Sequence, residues 1–158
     1  ENHPDFQISA LAASPASAGK KYGDAVKGRW MMSTPLSDDI ANMTVLNAED
    51  IAAVKEQVDF VFCAVDMKKD EIKALEEAYA KAEIPVVSNN SANRGTKDVP
   101  MLIPEINYAH TEVIEAQKKR LGTKRGEAVG VLAETEKEGG AGLGFRLLAI
   151  SAPPSVMC

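Results

Sequence analysis

Apolar residues in this chain fall into short runs separated by polar turns, with stretches of helical period between them. Phe6, Ile8, Ala10, Leu11 and Ala12 make the first run, whose length suits a buried strand better than a helix. Met43–Leu46 predicts a second short strand. Val58–Val65 carries the strongest strand signal, and its near-continuous apolar character predicts a strand covered on both faces, as in a parallel sheet. Ile84–Ser88 and Met101–Ile103 predict two more. Ile72, Leu75, Tyr79 and Ala82 recur at spacings of three, four and three, which is one helical stripe over about Asp70 to Ala82. A helix from Asn47 to about Gln57 turns Ile51 and Val54 inward, with Asn47 as N-cap and an acidic first turn. A last helix, from about Tyr108 to Leu121, places Val113, Ile114 and Gln117 on one side. Lys118, Lys119 and Arg120 form a solvated outer face, and Gly122 stops the helix. Between Arg29 and Thr34, Trp30 and the pair Met31–Met32 read as core or lid packing in a loop or short strand.

Strand, helix and strand alternate across Val58–Ser88, the pattern of a right-handed βαβ unit in an α/β fold. Three loops come directly after predicted strands: Ser14–Lys20, Ala64–Lys69 and Ser88–Gly95. Parallel strands would gather these loops on one edge of the sheet, where ligands of open α/β folds bind. In the first loop Pro15 fixes one backbone angle and Gly19 frees another. Its hydroxyls, backbone N–H groups and ammonium groups suit an anion, most simply a phosphate. An ordinary exposed turn with two solvated lysines is the plain alternative.

The bulk numbers narrow the choices. A chain of 158 residues, 45% hydrophobic and 26% charged, can form one domain with a real core. A net charge of −5 and a pI near 5.1 argue against a nucleic-acid partner. No apolar run approaches the roughly 20 residues that span a bilayer, so no membrane partner is expected. The two cysteines, Cys63 and Cys158, have no metal spacing and form no disulfide framework, which points to a reducing, cytoplasmic setting. With only His3 and His110 present, no histidine-rich metal site is expected.

The stretch Ala10–Val26, ALAASPASAGKKYGDAV, closely resembles the second strand and adjoining loop of aspartate-semialdehyde dehydrogenases, in the branch of archaea, fungi and some bacteria. FVFCAVDMKKDEIKALEEAYAKAEIPVVSNNSANR, VPMLIPEINYAH and IEAQKKRLGTKRG resemble later segments of that family, in order, so that the likeness covers Glu1–Gly126. It implies an α/β, Rossmann-like, doubly wound and mostly parallel sheet, incomplete at the N-terminus, because the first strand, glycine-rich turn and most of the first helix would lie upstream of Glu1. It also implies NADP as cofactor, with Ser14, Ser17, Gly19 and Lys20 at the adenosine ribose and its 2′-phosphate. The family often has Arg where this chain has Ala16, which leaves phosphate binding to Ser14, Ser17 and Lys20. Cys63, Ala64 and Val65 would run beneath the nicotinamide half, with Cys63 a packing residue and not the family's nucleophile. Ser88, Asn89 and Ser91 would hydrogen-bond the cofactor, shape its pocket or cap the loop. Arg94 stands at the position expected to grip the substrate's carboxylate or phosphate, although the family commonly has His at position 93 and Met at position 95. Pro104–Asn107 reads as a structural turn, with Asn107 capping the last helix. His110 does not match the family's catalytic histidine.

After Gly126 the likeness stops. The family continues into a strand and Pro-Asn-Cys-Ser, whose Cys attacks the substrate carbonyl to form a thioester. Here Glu127–Glu138 has no Cys, a Gly-rich run from Gly139 to Gly144 reads as a flexible linker, and Cys158 has no identifiable base beside it. The expected organisation is a partial NADP-binding domain over 1–126 and a divergent tail over 127–158, poorly ordered and outside the native core, as in a truncated or frame-shifted product. The parent reaction implied is reversible, NADP-dependent reductive dephosphorylation of aspartyl phosphate to the semialdehyde, by a homo-oligomer serving lysine, methionine and threonine synthesis. This chain alone, without a catalytic Cys, is expected to show negligible turnover. The rivals are an acyl-CoA reductase on the same scaffold, such as malonyl-CoA reductase, and a noncatalytic domain that binds nucleotide or a partner.

Overall fold

A computed structural model describes residues 3–124 in full and, beyond them, the backbone of strands 128–131 and 145–151. The strands are β1 (Phe6–Ala13), β2 (Val45–Asn47), β3 (Phe60–Ala64), β4 (Val86–Ser88), β5 (Met101–Leu102), β6 (Ala128–Val131) and β7 (Phe145–Ser151). They form one sheet in the order β2-β1-β7-β3-β4-β6-β5, and every pairing is parallel. The described helices are α1 (Tyr22–Ala25), α2 (Asp38–Ala41), α3 (Ile51–Lys55), α4 (Lys69–Lys81), α5 (Pro104–Asn107) and α6 (Ile114–Leu121). A 3-10 helix, Tyr108–Val113, precedes α6 and takes the first half of the helix predicted there.

From β1 the chain moves outward to β2, crosses back to β3 and continues outward to β4. The direction of travel therefore reverses between β1 and β3, and β7 lies in that gap, bonded to both. The sheet thus takes β1–β5 from the 1–126 segment and β6 and β7 from the 127–158 segment. The Gly-rich run and Cys158 lie outside the described residues.

The core lies between the sheet and helices α3 and α4. Ala10 and Ala12 of β1, Val61 and Cys63 of β3, and Val86 of β4 meet Val54 of α3 and Ile72, Leu75 and Tyr79 of α4. The helical stripe predicted over Asp70–Ala82 is the buried face of α4. Tyr79 is fully buried, and its hydroxyl donates to the Ala48 carbonyl at 2.7 Å, fastening α4 to the turn after β2.

A register shift at Ser9 puts the start of β1 out of phase with its end. Phe6 then packs edge-on to Phe60 at 5.3 Å between ring centroids, and Phe60 packs on Phe62 at 5.6 Å. These rings belong to the face opposite the core. The expectation that β3 is covered on both faces fails there: Val61 and Cys63 are buried, but Phe62 is 42% exposed. The apolar run is long enough for a doubly covered strand; helix packing on one face buries only alternate residues.

Other local expectations are corrected by side-chain partners. Asp50, not Asn47, caps α3 by accepting from the Ala53 N–H, while Asn47 accepts from the Glu49 N–H in the turn before it. Met31 and Met32 are exposed, at 79% and 67%, and contribute nothing to the core. Arg120 is exposed, as expected, but also paired: it forks onto Asp98 and joins Glu77, linking α6, the loop before β5 and α4. Gly122 ends α6 in the left-handed conformation, as predicted.

Two outcomes are expected. Tyr79→Phe leaves the Ala48 carbonyl without its donor and should lower stability by about 1–2 kcal/mol in urea denaturation. In amide hydrogen exchange, Phe145–Ser151 should be protected as strongly as Phe60–Ala64; fast exchange confined to Phe145–Ser151 would show the slot between β1 and β3 open in solution.

Candidate functional site

Because all strands run in one direction, β1, β3 and β4 deliver their trailing loops to the same rim. Ser14–Lys20, Ala64–Lys69 and Ser88–Gly95 are thereby gathered at the carboxyl edge, around the point where the strand order reverses. Phe145 starts β7 level with Phe6, at the opposite edge, while Ser151 ends it level with Ala64.

The first loop is tightly wound. The Ser14 carbonyl accepts from the N–H groups of Ser17 and Ala18 at 2.9 and 3.3 Å, and the Ser17 carbonyl accepts from Lys20 N–H at 3.3 Å. Gly19 has φ +81°, a conformation that a side chain strains. Its N–H donates to the Val45 carbonyl at 2.8 Å, and Val45 N–H donates back to the Lys20 carbonyl at 2.9 Å, so β2 holds the loop in place. The Lys20 ammonium folds over the turn onto the Ala16 carbonyl at 2.9 Å. Ser14 and Lys20 are exposed, Ser17 is half-buried, and the two hydroxyls make no hydrogen bond among the described residues. Between Phe6 and Gly23 the sequence has no carboxylate. The loop's own residues therefore offer an anion two hydroxyls and an ammonium, and no carboxylate.

At the end of β3, Cys63 points into the core and Ala64 outward. Burial is the main reason the Cys63 thiol is pushed up to about 12, with the Glu76 carboxyl adding to it. Cys63 stays protonated at neutral pH and has none of the character of a nucleophile. Val65 is buried, and Ala64 is the residue of this trio that the rim exposes.

The loop after β4 divides its residues between interior and solvent. Ser88 is buried and donates its hydroxyl proton to Glu76, while its oxygen accepts from Asn90 N–H at 3.1 Å. Asn89, Ser91 and Arg94 are exposed. Asn89 N–H donates to the Cys63 carbonyl at 3.2 Å, which stitches this loop to the end of β3. Arg94 reaches the Asn89 carbonyl at 3.4 Å through one terminal nitrogen, which leaves the other side of its guanidinium fork toward solvent. Glu76 is a residue that sequence reasoning missed. The signal for it is a carboxylate at an inward position of the α4 stripe, one residue after Leu75 and three before Tyr79.

Other candidates settle as structure. His110 Nδ1 lies 3.2 Å from both Met101 N and Met101 O, tying the 3-10 helix to β5. Asn107 does not cap the last helix; it accepts from Ile103 N–H at 2.7 Å and donates to the Met101 carbonyl at 2.8 Å, closing the turn around α5. Among the described residues no cluster of acidic, histidine or cysteine side chains is placed to hold a metal, and no helix is long and apolar enough to cross a membrane.

Residues 1–114 match the family model described as semialdehyde dehydrogenase, NAD binding domain. The chain belongs to the semialdehyde dehydrogenase family. Its fold is that family's Rossmann-like parallel sheet. Relatives named aspartate-semialdehyde dehydrogenase include those of Aspergillus fumigatus, 36% identical over 125 residues, and Archaeoglobus fulgidus, 39% identical over 123 residues. These alignments cover 79% and 76% of this chain but 33% of each relative, so the chain spans about a third of the length of the curated relatives it matches. The crystal structure of aspartate-semialdehyde dehydrogenase with NADP from Candida albicans superposes with a TM-score of 0.66 at 33% identity, over 82% of this chain and 36% of that one.

Burial of Cys63 has two measurable consequences. At pH 8 its alkylation by iodoacetamide should be about a thousandfold slower in the folded chain than in urea, read by mass spectrometry of the modified peptide. Burial also raises the Tyr79 hydroxyl. Both groups favour the fold fully below their unfolded values, about 8.5 for Cys and 10 for Tyr. Stability should therefore fall as pH rises from about 8.5 toward the folded thiol's value of about 12.

Proposed function

We propose that this chain is the NADP-binding portion of an aspartate-semialdehyde dehydrogenase, and that the rim at the reversal of strand order receives the cofactor. The observation that carries the reading is the Ser14–Lys20 loop: an anion-ready turn at the carboxyl end of β1, next to the switch point. In dinucleotide-binding folds this position carries an acidic residue when the ribose 2′-hydroxyl is free, and a cation when it is phosphorylated. Here the turn has Ser14, Ser17 and Lys20 and no carboxylate, a donor set that fits a 2′-phosphate.

Ser14, Ser17 and Lys20 would hold the 2′-phosphate end. Ala64 gives close approach at the end of β3, and Asn89 and Ser91 offer polar groups from the neighbouring loop. When bound, NADP supplies the hydride chemistry of the family. Arg94, exposed on the same rim, would orient an anionic substrate through two parallel N–H donors. The substrate of the whole protein is then aspartyl phosphate, converted with release of phosphate to aspartate semialdehyde, in a cytoplasmic homo-oligomer. The names of the relatives and the NADP in the Candida albicans enzyme support this reading.

Calorimetric titration of the chain with NADP and NAD tests it. NADP should bind at least tenfold more tightly, and Lys20→Ala should weaken NADP about tenfold, the worth of one charge-assisted hydrogen bond, with NAD unchanged. Equal affinities would remove the 2′-phosphate assignment, and binding of neither would show that this segment does not hold the cofactor by itself.

A further inference from the structure

Glu76 is 1% exposed, although it belongs to α4, a helix with many exposed charges. Among the described residues nothing basic pairs with it. Its hydrogen-bond partners come from the loop after β4. Glu76 Oε1 accepts from the Ser88 hydroxyl and lies 3.4 Å from Asn90 Nδ2. Glu76 Oε2 accepts from Asn93 Nδ2 at 2.6 Å. Asn93 is itself buried, and its Oδ1 accepts from Thr96 Oγ1 at 3.0 Å. Asn90 Nδ2 also lies 3.3 Å from the Cys63 carbonyl.

Three anchor points on one short loop fix which of its residues face inward. Positions 88, 90 and 93 turn to the carboxylate; positions 89, 91 and 94 are left exposed on the rim. Ser88 ends β4, whose pairing with β3 and β6 already sets its facing; beyond it the loop is irregular, and no ladder sets the facing of positions 90 and 93. There a buried carboxylate with both oxygens engaged sets it instead, because turning Asn93 outward would strip Glu76 Oε2 of its donor in a low-dielectric interior.

We propose that Glu76 is a positioning residue for the substrate site: by holding Ser88, Asn90 and Asn93 it presents Arg94, and with it Asn89 and Ser91, to the ligand. The proposal rests on the assignment of Arg94 as the anion-gripping residue for its functional consequence, but the ordering of the loop stands apart from that assignment and is measured separately.

Glu76→Gln keeps the size of the side chain and replaces one acceptor by a donor, which must face Ser88 and Asn90 or Asn93. Adding Asn93→Asp reverses the polarity of that contact and restores a donor–acceptor pair, and the carboxylate introduced at position 93 still accepts from Thr96. Amide exchange of the full chain reads the loop without any ligand. In E76Q the N–H groups of Asn89, Asn90, Arg94 and Thr96 should exchange at least tenfold faster, while that of Ile84, bonded to the Tyr79 carbonyl at 3.1 Å, is unchanged. The E76Q/N93D double variant should return them to within about threefold of the parent. Unchanged loop exchange in E76Q, or no recovery in the double variant, overturns the proposal. If E76Q does not fold, Asn93→Ala removes one anchor from the loop side and should speed the same amides; unchanged exchange in that variant overturns the proposal equally.

Inorganic phosphate, titrated by NMR against the backbone N–H signals of positions 89, 91 and 94, gives the functional arm. E76Q should weaken it about tenfold and E76Q/N93D should recover it. If Arg94→Ala leaves phosphate binding unchanged, the anion role of Arg94 fails while the exchange data still decide the role of Glu76. If Arg94→Ala abolishes binding and E76Q does not weaken it, the positioning role fails alone.

Discussion

Everything at the candidate site depends on one constraint, that every strand of the sheet points the same way. Parallel strands cannot be joined by tight turns; each connection must return over a face of the sheet, and each strand then ends at the same edge. Here that places a hydroxyl- and lysine-bearing turn after β1, a small residue at the end of β3 and an arginine-bearing loop after β4 along a single rim. No side chain in those loops had to find another across the chain. The backbone direction brought them together.

Direction gathers the loops but does not shape them, and each loop is shaped differently. The turn after β1 is held mainly by backbone groups, with β2 exchanging bonds with Gly19 and Lys20. The loop after β4 has one such bond, from Asn89 N–H to the Cys63 carbonyl, and further along is fixed by Glu76 from beneath. The turn around α5 is closed by the amide of Asn107. Arg120 joins α6, α4 and the loop before β5 through two carboxylates. In the last three cases a polar side chain substitutes for the repeated backbone bonding that irregular segments lack. Where that side chain is buried, as Glu76 is, the arrangement is costly to change.

Most of the architecture is legible in the sequence. Val58–Val65, the stripe through Ile72, Leu75 and Tyr79, and Ile84–Ser88 spell out the parallel βαβ unit, because buried strands and amphipathic helices write their period directly into the order of apolar residues. The three loops are located by the same means, each as the polar segment just past a strand. The division of labour within them is not legible. Ser88 and Asn89 are adjacent polar residues, equal as candidates, yet one is locked to Glu76 and the other faces solvent. Glu76 and Glu77 are adjacent and chemically identical, yet one is buried among donors from the loop and the other pairs with Arg120 at the surface.

The order of residues by itself therefore determined the five strands and the longer helices of the 1–126 segment, their parallel character and the chemistry each loop could offer, because these depend on local period and on residue type. Tertiary structure alone decided that β7 lies between β1 and β3, that one face of β3 leaves Phe62 uncovered, and that a carboxylate of α4 governs the loop after β4. Each of those is a relation between segments distant in sequence. It is selected by which faces and donors remain unsatisfied once the elements have formed, a quantity that exists only in three dimensions.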